Sequence, residues 1–121
     1  MPAISSAEAP AVIDGGGVEL KGREIGGEMT VGFVRLPRGT DLGPALEGLP
    51  GDLCPCPHWG YVLSGRIEVR SEDGAELVTA GQAFYWSPGH APIALEDTEY
   101  VDFSPTHEFQ AVLDHLTVAS A

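Results

Sequence analysis

Between residues 18 and 103 the apolar residues come in short runs set apart by glycine-containing breaks, with none of the long stripes that would mark helices. Seven runs, at 18–24, 29–36, 59–63, 66–70, 76–79, 83–86 and 100–103, are rich in β-branched and aromatic residues and read as strands. Gly26-Gly27, Ser64-Gly65, Asp73-Gly74, Ala80-Gly81 and Pro88-Gly89 separate them. Asp73-Gly74 is the sharpest of these breaks, because both residues tolerate the positive φ that a two-residue type I′ turn demands. Residues 66–79 are therefore expected to form a hairpin.

The two ends differ in kind. Residues 1–17 are small, polar or glycine-rich, finish in Gly15-Gly16-Gly17, and are expected to form a flexible N-terminal arm. Near the other end Phe109, Val112, Leu113 and Leu116 fall at i, i+3, i+4 and i+7, one apolar helix face. The pattern predicts a helix over 105–118, with Ser104 as N-cap and Pro105 in its first position. Segment 39–51 is turn-rich, and Gly43-Pro44 interrupts its helical spacing, so a loop with one helical turn is expected. Many short strands followed by one helix indicate an all-β sandwich or barrel with a short C-terminal α-helix. The 121 residues suit a single domain over 18–121.

The net charge of −12, from 18 acidic and 6 basic residues, argues against nucleic acid and anionic membranes as partners. No run approaches the ~20 apolar residues of a membrane helix, and residues 1–10 lack the basic and apolar regions of a secretory leader. Two cysteines one residue apart make no disulfide framework, so reduced thiols and a cytoplasmic location are expected. Neither a phosphate-cradling glycine loop nor a nucleophile elbow is present.

The chemistry concentrates in Cys54-Pro55-Cys56-Pro57-His58. On an extended strand alternate side chains share a face, which would align Cys54, Cys56 and His58. Thiolate and imidazole are donors for zinc, iron, copper or nickel, and a catalytic metal needs three protein ligands and an open position. Cys54 and His58 are expected ligands, with Cys56 or His90 as the third. His90 follows the Pro88-Gly89 turn, which can re-aim its side chain. A metal-free protein would leave His58 as an acid or base near neutrality. Tyr61, Phe84, Trp86 and Phe103 are expected to line an apolar pocket for a small organic ligand. His107 and His115 fall off the apolar helix face and are expected to be solvated.

The same region resembles the cupins. Tyr61-Val62-Leu63-Ser64-Gly65 matches the end of their first motif, and Gly81 to Pro92 echoes the second through Gly81 and Gly89. His58 stands where the family has a glutamate, Cys54 where it has the second histidine, and Asp52 where it has the first. Ser87, Pro92 and Glu96 occupy the places of its proline, last histidine and terminal asparagine. The resemblance, over about 18–105, implies a double-stranded β-helix, a jelly-roll barrel with a ligand in its mouth. It further implies a homodimer paired through outer sheets, and it makes Glu96 a candidate general base. An enzyme using a divalent transition metal on a small molecule is the expected function, with a metal-free sensor or carrier as the alternative.

Overall fold

The computed structural model describes residues 2–120, with side chains through 117. Among these residues nine strands precede one α-helix: β1 Ala11–Gly15, β2 Val18–Gly26, β3 Met29–Leu36, β4 His58–Ser64, β5 Arg66–Ser71, β6 Gly74–Thr79, β7 Ala83–Trp86, β8 Ala91–Ala94, β9 Thr98–Pro105 and α1 Thr106–Ser120, with two 3-10 turns, Pro44–Leu46 and Pro50–Asp52, between β3 and β4. They form two antiparallel sheets, ordered β1-β2-β3-β9-β4-β7 and β6-β5-β8. Val34, Leu36, Val62, Ile67, Val78 and Phe84 pack between the sheets as the main core, and alternate residues on each strand supply it. This is the all-β barrel that the strand pattern predicts and the jelly roll that the cupin resemblance implies.

Strands β3 and β7 lie at the residues that the pattern predicts, and the other five predicted strands extend by one or two residues at one or both ends. Two strands were missing from that expectation. β1 lies inside the segment read as an arm, where Gly16 and Gly17, at φ 61° and 85°, make the two-residue hairpin turn onto β2. Exposed on most of its length, β1 shows little hydrophobic alternation. The other, β8, is only four residues long and contains Pro92. The β5–β6 hairpin exists, but its loop residues are Glu72 and Asp73, because Ser71 pairs with Gly74. Of the expected central pair only Gly74 has positive φ, at 124°.

Helix α1 also starts later than expected. Ser104 and Pro105 finish strand β9, so Ser104 is no N-cap. The apolar face is as the spacing predicts, with Phe109, Val112 and Leu113 buried. They pack on Leu46, Cys54, Cys56 and Ala91, which lays the helix against one end of the barrel. His115 is not simply solvated, since its Nε2 lies 2.8 Å from the Glu47 carbonyl oxygen and ties the helix to the loop after β3. His107 is exposed.

Candidate metal centre

Pro55 and Pro57 cannot donate to a sheet ladder, so the chain from Leu53 to Pro57 is irregular and β4 begins at His58. The regular alternation needed to align Cys54, Cys56 and His58 therefore fails. Cys54 instead makes a two-sided backbone clasp with the turn before β8. Its N–H donates to the His90 carbonyl at 2.8 Å, and its own carbonyl accepts from Gly89 N–H at 2.8 Å. That clasp brings together two donors far apart in sequence.

Cys54, His58 and His90 are all buried, and their donor atoms lie within 4.8 Å of one another. Cys56 lies outside this group: it is fully buried against the helix, and its thiol faces the Pro57 carbonyl at 3.5 Å. Of the two candidates for the third donor, geometry brings His90 into the cluster and not Cys56.

The hydrogen bond to Ser87 sets the tautomer of His90. His90 Nδ1 lies 2.7 Å from the Ser87 carbonyl oxygen, which can only accept, so Nδ1 carries the proton and Nε2 keeps its lone pair. His58 Nδ1 is 2.6 Å from Ser104 Oγ and 3.7 Å from an Asp102 carboxylate oxygen, while its Nε2 faces Cys54 Sγ at 3.7 Å. With Nδ1–H donating to Ser104 Oγ and Nε2 accepting from the thiol, both contacts are satisfied and Nε2 is the nitrogen left for a metal. Histidines that hold a metal through one nitrogen are commonly fixed through the other in this way.

Burial keeps the unliganded cluster neutral. It lowers His58 to about 3, with His90 nearby adding to the effect, and it lowers His90 as well. It raises the Cys54 thiol to about 11 and Cys56 to about 12. Asp102 is raised to about 7 by burial alone. Its place in the sheet is prepared by its neighbours: Asp102 pairs with Gly32 on one side and Gly60 on the other. A Cβ at Gly32 would come within 2.5 Å of the Asp102 carboxylate, so the carboxylate occupies the space that a side chain there would need.

Beside the cluster is a cavity of about 80 Å³. Trp86, Tyr100 and Asp102 border it together with the three donors, and Phe109, Val112 and Leu116 of α1 supply apolar wall. Trp86 stacks on Phe84 with ring centroids 4.0 Å apart, and its indole N–H is buried without an acceptor.

Of the expected pocket residues, Phe84 and Trp86 face inward, and Trp86 borders the cavity. Tyr61 and Phe103 do not. They are 43% and 36% exposed, on the outside of the six-stranded sheet. Strand parity requires this, since with His58 inward the odd-numbered residues of β4 point out. Glu96 is likewise on the surface, half exposed in the turn between β8 and β9 and ion-paired with Arg66 at 2.7 Å, so it stands outside the cavity. Asp52 is exposed and accepts from Gly48 N–H at 3.0 Å, and the cavity-lining Pro92 offers no ligand atom. Asp102 and Ser104 were not anticipated. Their signal was parity with Tyr100, because Thr98, Tyr100, Asp102 and Ser104 form the buried phase of β9.

No family model and no curated protein matches the sequence. Solved structures do. An RmlC-like cupin from Shewanella frigidimarina superposes with TM-score 0.60 at 17% identity, covering 84% of this chain and 88% of that one. KdgF from a Halomonas species gives 0.57 at 25% identity, over 84% and 90%. Oxalate decarboxylase from Bacillus subtilis, a protein with Mn(II) centres, gives 0.63 at 19% identity, over 84% of this chain but 28% of its own. Strand order, barrel and these superpositions agree that the chain has the cupin fold.

Proposed function

We propose that the protein is a metal-dependent cupin acting on a small organic molecule, with Cys54, His58 and His90 holding a divalent transition metal. The observation that carries this reading is the convergence of three buried donors within 4.8 Å, with Nδ1 of both histidines already engaged by oxygen atoms. The donor set fits: both imidazoles are held neutral, and one thiolate with two imidazoles suits zinc, iron, copper or nickel better than manganese. Such a metal supplies Lewis acidity and an open position for a ligand.

The chain's own residues do the rest. Ser104, backed by Asp102, holds the His58 ring, and the Ser87 carbonyl holds that of His90. The apolar face of α1 keeps bulk water from that side of the cavity. Cys54 must lose its proton to bind, so metal affinity should fall as pH falls. The alternative of a metal-free acid–base enzyme is less well supported. A thiol near 11 beside an imidazole near 3 stays neutral on both sides, without the thiolate–imidazolium pair of a cysteine nucleophile. The sensor or carrier alternative needs the cavity alone.

Elemental analysis of untagged protein purified without added metal tests the proposal. About one metal per chain is expected, falling to near zero in Cys54→Ser with His58→Ala. Unchanged metal content in the folded double variant would sink it.

The outer face of the large sheet supports a homodimer. Trp59, Tyr61, Leu63, Tyr85 and Phe103 are exposed there on neighbouring strands, and a second copy of this chain would cover them. None of the described helices is long and apolar enough to cross a membrane. A reducing compartment such as the cytoplasm suits the two free thiols.

A further inference from the structure

The cavity restricts what it can take. At about 80 Å³ it has room for about half a dozen water-sized atoms, taking ~10–15 Å³ for each. Typical small-molecule pockets, of roughly 300–1,000 Å³, are several times larger. Its lining also divides by chemistry. The metal donors, Asp102, Tyr100 and Trp86 form the polar portion, while Leu42, Leu46, Phe109, Val112 and Leu116 are hydrocarbon.

Tyr100 gives the polar portion a donor, since it lines the cavity and offers a hydroxyl. Its ring centroid is 5.3 Å from that of Trp86, which in turn packs against two of the metal's proposed ligands, 5.6 Å from His90 and 6.2 Å from His58 between ring centroids. Opposite the hydroxyl the helix wall offers nothing to a second polar group.

On the metal reading above, we infer that the site takes a short-chain carbonyl compound of about six non-hydrogen atoms, with one polar end. Its carbonyl or carboxylate oxygen accepts from the Tyr100 hydroxyl, and its hydrocarbon end lies against Phe109, Val112 and Leu116. A compound polar at both ends is disfavoured, because its second carboxylate would be buried against that wall unpaired.

Calorimetric titration of zinc-loaded protein with acetate, butyrate, hexanoate, octanoate, butyramide and oxalate tests this, with metal per chain measured on every sample. Butyrate or butyramide should bind at least about tenfold more tightly than octanoate or oxalate. Whichever of the two binds better tells whether the oxygen belongs to an anion or to a neutral carbonyl. Tyr100→Phe should weaken the preferred probe about tenfold, a lost hydrogen bond, without loss of zinc. Phe109→Ala should move the optimum to chains at least about two carbons longer, by the volume of the deleted ring. Equal binding of octanoate, oxalate and butyrate to zinc-loaded protein overturns the inference and leaves the metal reading standing. A butyrate optimum in protein that fails to hold zinc overturns the metal reading and keeps the ligand class. Should Tyr100→Phe not fold, the shift in Phe109→Ala decides, and an unmoved optimum counts against the inference.

Discussion

The two faces of the β7-β4-β9 segment of the large sheet reverse the usual order of a globular protein. Its inner face carries His58, Asp102 and Ser104, all buried, beside Trp86 and Tyr100. Its outer face carries Trp59, Tyr61, Tyr85 and Phe103, all exposed. Residues adjacent in sequence, His58 and Trp59 or Asp102 and Phe103, go to opposite faces because a strand alternates. Burying three polar side chains while leaving four aromatics in water costs free energy on both faces, unless the inside holds a ligand and the outside is covered. The proposed metal site on one face and the proposed homodimer on the other would together account for the inversion.

The largest effect that would break this comparison is removal of the inner donors, where Cys54→Ser with His58→Ala should abolish metal retention. Next is Asp102 in the metal-free protein. Its folded pKa, raised from 3.8 to about 7, means the native state holds a proton that the unfolded chain has lost between those values. Asp102 therefore lowers stability as pH rises from about 4 to 7. His58 acts oppositely: lowered to about 3, it contributes stability that is lost as pH falls from about 6.5. Thermal melts across this range should show a steeper rise with pH in Asp102→Asn than in the parent protein. Identical profiles would mean that Asp102 is ionised in the native state.

A smaller effect is expected from Ser104→Ala, which removes the acceptor for His58 Nδ1 and should weaken metal binding about 10–100-fold while the fold persists. Competition with a chromogenic chelator measures it. On the outer face, Trp59→Glu should convert a dimer to a monomer by light scattering, with metal per chain unchanged. A monomeric parent protein would leave the aromatic face without its proposed partner. The smallest effect belongs to Glu96→Gln, which breaks an exposed ion pair with Arg66 and should alter stability by less than about 1 kcal/mol and metal binding not at all.

How the sequence reads differs between fold and site. Strands flanked by glycine turns and packed on one side, such as β3, declare themselves by composition and alternation. β1 does not, being exposed, and its Gly16-Gly17 turn looks like the end of a tail until its strand partner is known. At the site, Cys54 and His58 were legible as donor types. His90 needed the backbone clasp with Cys54, a contact across 36 positions that no local pattern encodes. Tyr61 and Phe103 were misplaced by residue type when parity with His58 and Tyr100 would have turned them outward. Asp102 and Ser104 could have been found by the same count, since polar residues in the buried phase of a strand need a reason to be there.

The clasp between Cys54 and His90 has a mechanical consequence. Everything from β4 through β7, including the β5–β6 hairpin, lies on the chain between these residues. An ion bound to both would close that stretch into a ring in the folded protein, and the stretch could open only with the ion released. The protein would then lose part of its resistance to unfolding when stripped by a chelator, and its melting temperature would follow the free ion concentration. In that sense the ion would act as a fastener of the barrel as well as an agent of chemistry.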